Sequence, residues 1–120
     1  MPVKKILVVD DSATVRHALT EILINHGYEV LTAENGEMSI EKARTESPDL
    51  ILMDIVMPGI NGYQATRTLN RDEATRHIPI IFCSSKGQET DKIWGLRQGA
   101  LDYLVKPINS EELLEKIALL

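Results

Sequence analysis

The sequence contains a single cysteine, Cys83, and few aromatic residues: one tryptophan, one phenylalanine and three tyrosines in 120 residues. A lone cysteine excludes an internal disulfide and a cysteine-rich zinc site. The three histidines lack the paired spacing of a histidine metal site. Apolar runs are short, so the sequence predicts no membrane span and no signal peptide, and we expect a cytoplasmic protein. The core must be built from aliphatic side chains.

Positive charge is also scarce, because 13 lysines and arginines face 18 aspartates and glutamates, for a formal net charge of −5. Domains that bind nucleic acid ordinarily present a basic surface, so we expect no direct contact with nucleic acid. The sequence has no glycine-rich motif of the nucleotide-binding type. The ordinary balance of 43% hydrophobic and 26% charged residues predicts one folded domain over residues 1–120.

Two kinds of segment alternate along the chain. Short aliphatic runs predict five strands. Apolar residues at three- and four-residue spacing predict a helix after each strand. The strands are predicted at residues 6–9, 29–33, 50–53, 80–83 and 101–105, and the helices at residues 13–26, around 38–43, and at 63–70, 89–98 and 110–119. Buried strands alternating with helices are typical of an α/β fold, a doubly wound parallel sheet with helices on both faces.

Polar residues follow four of the five predicted strands. Asp10 and Asp11 follow the first, Asp54 the third, Ser84 the fourth and Lys106 the fifth. The second strand has no such residue, as expected for a strand at the sheet edge. In an open parallel sheet, ligands bind beyond the carboxyl ends of the strands, so we expect these side chains to lie close together.

Three carboxylates in one crevice repel one another, by about 4 kcal/mol for a pair at 4 Å and an effective dielectric near 20. A divalent cation relieves this repulsion, and oxygen ligands suit Mg²⁺, which completes its shell with water and phosphate oxygens. The Lys106 ammonium and the Ser84 hydroxyl suit a phosphoryl group. The residues therefore predict a site for Mg²⁺ and a phosphoryl group, with an aspartate as nucleophile.

These motifs resemble those of the CheY-like receiver domains of bacterial two-component response regulators. The matching residues are the run 6–12, the segment 53–59 with Gly62, Ser84, and the Lys106-Pro107 pair. The resemblance covers the whole chain. It implies a flavodoxin-like (βα)5 fold with strand order 2-1-3-4-5, the order of CheY.

The resemblance also implies roles for the polar residues. Asp54 would accept a phosphoryl group from the phosphohistidine of a sensor histidine kinase or phosphotransfer protein. Asp10 and Asp11 would hold Mg²⁺ together with Asp54 and the backbone carbonyl of Val56. Lys106 would contact the phosphoryl group.

A conformational switch is implied as well. Ser84 would turn toward the phosphoryl group and let Tyr103 move inward. This movement would remodel the face formed by the fourth helix, fifth strand and fifth helix, where a downstream protein would bind. The bond before Pro107 is expected to be cis, and Gly62 is expected to have a structural role beside Asp54.

A narrower similarity involves residues 57–67, 88–95 and 97–100, which are similar to stand-alone regulators of type IV pilus (PilH-type) motility systems. It implies a place in motility or chemotaxis-like signalling. The abrupt apolar end at residues 118–120 leaves open a receiver fragment of a longer regulator. A receiver-like scaffold that is never phosphorylated also stays an alternative.

Two other function classes are less well supported by the residues. In a flavodoxin-type electron carrier, Asp10 and Asp11 would repel the phosphate of the flavin. In a phosphatase with an aspartate nucleophile, Val56 would stand where a second acid is needed.

Near the C-terminus, Asn109 and Glu112 predict a capping box.

Tryptophan occurs once in the chain, and its surroundings bear on how a partner could bind. Trp94 adjoins the apolar residues Ile93 and Leu96 in the predicted fourth helix. We expect these side chains to pack locally, rather than to dock a partner.

Overall fold

The computed structural model describes residues 2–120 and contains five parallel strands in the order β2-β1-β3-β4-β5. The strands are β1 (Lys5–Val9), β2 (Glu29–Ala33), β3 (Leu50–Met53), β4 (Ile80–Ser84) and β5 (Asp102–Val105). The helices are α1 (Ala13–Asn25), α2 (Gly36–Glu46), α3 (Gly62–Arg71), α4 (Glu89–Arg97) and α5 (Ser110–Ala118). The predicted fold class, strand order and edge position of the second strand are confirmed.

The two faces of the sheet carry separate hydrophobic layers, because side chains alternate along each strand. Leu7 and Val9 of β1 belong to the layer that includes Leu69 of α3. Ile6 and Val8 belong to the opposite layer, with α1 and α5. β1, β3 and β4 are buried nearly throughout, which explains their continuous aliphatic sequences.

Polar side chains fix the starts of the helices. Ser12 caps α1 by accepting a hydrogen bond from the N–H of Val15 at 3.3 Å. At α5, Asn109 accepts from the N–H of Glu112 at 3.0 Å, but the return bond of a capping box is not formed among residues 2–120. The predicted box is therefore only half present. A complete box, with bonds in both directions, occurs at the start of α3.

α4 approaches the sheet through a glycine. Gly95 is the buried residue of this helix, and a Cβ atom there would lie 3.0 Å from the rings of both Phe82 and Tyr103. The absence of a side chain lets the helix backbone pack directly on these two rings. This close approach determines which way the neighbouring side chains of α4 point.

The expected local packing of Trp94 with Ile93 and Leu96 is present only in part. Ile93, Trp94 and Leu96 are 46%, 49% and 47% exposed. The reason is that Gly95 occupies the buried position, so the flanking residues point away from the sheet. Trp94 retains one aromatic contact, with Tyr63, at a ring-centroid distance of 6.4 Å.

No helix within residues 2–120 has both the length and the apolar composition needed to cross a lipid bilayer.

Candidate functional site

The carboxyl ends of β1 and β3 bring three aspartates together. One carboxylate oxygen from each of Asp10, Asp11 and Asp54 lies within 4.8 Å of the others. The strands are neighbours, and the N–H of Asp54 donates to the carbonyl of Val9 at 2.9 Å, which sets Asp54 beside the Asp10–Asp11 pair. Asp10 and Asp54 are buried, whereas Asp11 is exposed.

Lys106 enters the same crevice from the end of β5. Its Nζ lies 2.7 Å from Oδ2 of Asp10 and 3.2 Å from Oδ1 of Asp54. Its backbone N–H donates to the carbonyl of Ser84 at 2.8 Å, and the bond to Pro107 is cis. Burial opposes the charge of Lys106, but the hydrogen bond to Asp10 and the charges of Asp54 and Asp10 outweigh it and raise the lysine pKa. Lys106 is therefore an ammonium at neutral pH.

Asp54 is in an unfavourable electrostatic position. Burial raises the pKa of its carboxyl group, the charge of Asp10 raises it further, and Lys106 offsets only part of the effect. With all groups ionised, three carboxylates and one ammonium leave an excess of two negative charges. An all-oxygen donor set with this excess charge fits a hard divalent cation such as Mg²⁺.

Replacing Asp54 by asparagine is expected to raise the free energy of unfolding at pH 7, without metal, by about 1 kcal/mol. A carboxyl group whose pKa is raised by folding costs stability above that pKa. The cost disappears as pH falls toward the ordinary value of 3.8. Urea unfolding at pH 7 and pH 4 should show the advantage of the variant only at pH 7.

The control for this prediction is Asp72→Asn. The pKa of Asp72 is lowered by hydrogen bonds from the N–H of Ala74 and the side chain of Arg44. Its charge therefore favours the folded state, and Asp72→Asn should lower stability at pH 7. An Asp54→Asn variant that is no more stable than the wild type at pH 7 would contradict the electrostatic account of the site.

Ser84 and Tyr103 are connected through Lys86. The N–H of Lys86 donates to Oγ of Ser84 at 3.1 Å, and the hydroxyl of Tyr103 donates to the carbonyl of Lys86 at 2.6 Å. Tyr103 is only 7% exposed, and burial raises the pKa of its hydroxyl. The Tyr103 ring therefore lies inside the structure, with its hydroxyl bound to the loop that carries Lys86.

The loop after Asp54 is held by a close backbone contact. Gly62 donates its N–H to the carbonyl of Ile55 at 2.8 Å. A Cβ atom at Gly62 would overlap the carbonyl oxygen of Asp54 and lie 2.9 Å from Cα of Ile55. Val56, whose carbonyl is the predicted metal ligand, lies in this loop with its side chain 60% exposed.

Sequence reasoning missed Arg16. Its Nη1 donates to the backbone carbonyl of Asp10 at 2.7 Å, while the N–H of Ser12 donates to Oδ1 of Asp10 at 2.9 Å. The available signal was the position of Arg16 in the first turn of α1, four residues after Ser12. Side chains of a first turn point back toward the segment that precedes the helix.

Comparison with known proteins assigns the family. The response regulator receiver domain matches residues 6–118. The chain therefore belongs to the response regulator receiver family, whose members are signalling switches.

Individual relatives agree with this assignment. The chain is 57% identical over 113 residues to Protein PilH of Pseudomonas aeruginosa, covering 94% of this chain and 93% of PilH. It is 44% identical over 114 residues, 95% of this chain, to the phosphate regulon transcriptional regulatory protein PhoB of the same organism, but spans only 50% of PhoB.

Solved structures show the same fold. Chemotaxis response regulator CheY4 of Vibrio cholerae matches with a TM-score of 0.89 and 32% identity, over 96% of each chain. The response regulator domain of Thermotoga maritima CheB matches with a TM-score of 0.84 and 36% identity, over 96% of this chain and 93% of that one.

Proposed function

We propose that the chain is a phospho-accepting response regulator and that Asp54 is its acceptor. A carboxylate oxygen of Asp54 would attack the phosphorus of a phosphohistidine on a sensor histidine kinase or phosphotransfer protein. A phosphorus–oxygen bond forms, the phosphorus–nitrogen bond breaks, and the histidine nitrogen keeps the electron pair. The observation that carries this proposal is the meeting of three carboxylates and the Lys106 ammonium at one edge of the sheet.

The same residues would bind the metal and the phosphoryl group. Asp10, Asp11 and Asp54 would hold Mg²⁺, with the carbonyl of Val56 as a further ligand. When bound, Mg²⁺ would offset the negative charge of the phosphoryl oxygens. The ammonium of Lys106 would bind one of these oxygens, since it already lies between two carboxylates of the crevice.

Ser84 would report phosphorylation to the rest of the domain. Its oxygen accepts from the N–H of Lys86, and a side-chain hydrogen bond links it to Tyr103, so its own hydrogen would have to turn toward a phosphoryl oxygen. Phosphorylation adds up to about two negative charges at pH 7, enough to attract this hydroxyl. Turning Ser84 would disturb Lys86, and Lys86 holds the hydroxyl of Tyr103. Because Tyr103 is already buried, we place the change in the loop that carries Lys86.

The output of this switch would be a protein contact. We propose that the face formed by α4, β5 and α5 binds a downstream protein, because Ile93, Trp94 and Leu96 leave apolar surface exposed on α4.

The similarity to PilH supports a pathway in type IV pilus motility or related chemotaxis-like signalling. A phosphotransfer screen against candidate histidine kinases would identify the donor.

Acetyl phosphate in the presence of Mg²⁺ is expected to label the wild-type chain, and Asp54→Asn is expected to abolish the labelling. The reason is that the amide is not a nucleophile of the required kind and cannot form an acyl phosphate. Chelation of Mg²⁺ should suppress the labelling of the wild type. Phosphate incorporation is measured on the intact protein by mass spectrometry.

The matched control is Asp72→Asn, which removes a carboxylate outside the crevice and should be labelled like the wild type. Labelling that persists in Asp54→Asn would show that another residue accepts the phosphoryl group. A wild-type chain that is never labelled would favour the scaffold alternative.

A further inference from the structure

The three carboxylates of the crevice differ in their burial and in the hydrogen bonds that they accept. Each carboxylate oxygen of Asp10 accepts a hydrogen bond, Oδ1 from the N–H of Ser12 and Oδ2 from Lys106. Asp54 is buried and contacts Lys106. The carboxylate of Asp11 is exposed and has no hydrogen bond to any residue within 2–120. The backbone is therefore what directs the Asp11 carboxylate toward the other two.

Arg16 holds that part of the backbone. Its guanidinium donates to the carbonyl of Asp10 at 2.7 Å. This carbonyl belongs to the peptide unit that joins Asp10 to Asp11, and a peptide unit is planar, so fixing its oxygen also fixes the nitrogen and Cα of Asp11. The N–H of Arg16 donates to the carbonyl of Ser12 at 3.0 Å, which anchors Arg16 in the first turn of α1.

Arg16 does not act as a partner charge of the carboxylates. No carboxylate oxygen among residues 2–120 lies within 4.0 Å of its guanidinium, in contrast to Lys106. Its contact is with a neutral carbonyl oxygen. The arrangement is suited to orienting a ligand, rather than to neutralising one.

We propose that Arg16 is a positioning residue that orients Asp11 for Mg²⁺. The inference rests on the proposed function, because it takes Asp11 to be a ligand of the metal. An orienting role of Arg16 and an effect of its charge predict opposite changes in Mg²⁺ affinity when Arg16 is removed. A positive charge near a metal site repels the cation, so removing Arg16 would strengthen Mg²⁺ binding if charge were its only contribution. If Arg16 orients Asp11, removing it weakens binding.

Isothermal titration calorimetry with Mg²⁺ on the full chain tests the proposal. Arg16→Ala is expected to bind Mg²⁺ about tenfold more weakly than the wild type, the usual effect of losing a group that orients a metal ligand. Arg16→Lys should bind close to wild type, since its ammonium can donate to the same carbonyl. Arg97→Ala removes an exposed arginine of α4 and should leave Mg²⁺ affinity unchanged. Thermal unfolding without Mg²⁺ establishes that each variant is folded.

Unchanged or tighter Mg²⁺ binding by a folded Arg16→Ala would overturn the proposal. If this variant does not fold, Arg16→Met, which keeps much of the aliphatic stem but has no hydrogen-bond donor, takes its place with the same expected and contradicting results. The wild-type titration distinguishes a failure of the proposed function from a failure of the role of Arg16. A wild type that does not bind Mg²⁺ contradicts the proposed function and the inference together, whereas equal binding by wild type and Arg16→Ala contradicts the inference alone.

Discussion

Gly62→Ala is expected to lower the free energy of unfolding by about 3 kcal/mol and to abolish labelling of Asp54 by acetyl phosphate. The added methyl group would overlap the carbonyl oxygen of Asp54 and press on Cα of Ile55. Both obstacles are backbone atoms, so no side chain can turn aside to make room. Either the start of α3 or the segment that carries Asp54 must move, and the second change would take the acceptor away from Asp10 and Lys106.

Gly36→Ala is the matched control for this prediction. Gly36 and Gly62 are each the first residue of a helix and follow an asparagine cap. A Cβ atom at Gly36 would lie 2.6 Å from Cγ1 of Ile60, which is part of a side chain that can rotate. We expect Gly36→Ala to cost about 1 kcal/mol and to keep the labelling. Urea unfolding of both variants checks the difference, and equal losses would contradict a specific role for the Gly62 contact.

Lys106→Met is expected to lower the free energy of unfolding at pH 7, without Mg²⁺, by about 2 kcal/mol. The substitution removes the ammonium from two buried carboxylates and leaves them without a partner charge. Lys106 at present lowers the pKa of Asp54, so its removal raises that pKa further. The loss should be largest where Asp54 is ionised, and it should shrink as pH falls toward 4 and the carboxyl becomes protonated.

The alkaline pH range gives a second test of the ion pairs that Lys106 makes with Asp10 and Asp54. Because the pKa of Lys106 is raised above 10.5 by folding, its contribution is complete below 10.5 and is lost as pH rises through the raised value. The difference between wild type and Lys106→Met should therefore persist from neutral pH to about pH 10. Lys116→Met is the control, since Lys116 makes a more exposed ion pair with Asp102 and should cost less than about 1 kcal/mol. A stability difference between wild type and Lys106→Met that stays constant as pH falls from neutral toward 4 would contradict the electrostatic explanation.

The fold and the meeting of the polar residues could be predicted because both follow from local patterns. Continuous aliphatic strands require burial on both faces, which in turn requires a parallel sheet covered by helices. Once the strands are parallel, the residues that follow them share an edge. Asp10, Asp54 and Lys106 were therefore predictable as neighbours without any knowledge of their distances.

The orientation of α4 could not be predicted in this way. Gly95 packs on the rings of Phe82 and Tyr103, and these residues lie on two different strands. Nothing local in the sequence indicates that a glycine, rather than the adjacent Trp94, is the buried residue of the helix. The exposure of Trp94 follows from this long-range contact.

Arg16 shows a second limit of the sequence pattern. A partly exposed arginine in the first turn of a helix is ordinarily a solvated charge. Its importance here depends on one hydrogen bond to a backbone carbonyl, and backbone carbonyls carry no sequence signature. Only the folded turn shows that the Arg16 side chain reaches the carbonyl of the peptide between Asp10 and Asp11.

Two other functions, that of a flavodoxin-type electron carrier and that of a phosphatase with an aspartate nucleophile, fit the residues of the site less well. An electron carrier of the flavodoxin type would need a flavin phosphate where the Asp10–Asp11 pair stands. A phosphatase with an aspartate nucleophile would need an acid at Val56, whose side chain is apolar and 60% exposed. The residues of the site fit the proposed phosphoryl transfer to Asp54 better than either alternative.

Locating the phosphorylated residue tests most directly whether Asp54 is the phosphoryl acceptor. After labelling with acetyl phosphate and Mg²⁺, borohydride reduces an acyl phosphate to an alcohol, which converts the modified aspartate to homoserine. Peptide mass spectrometry should find homoserine at position 54 and leave Asp10 and Asp11 unmodified. Homoserine at another aspartate, or at none, would contradict the account.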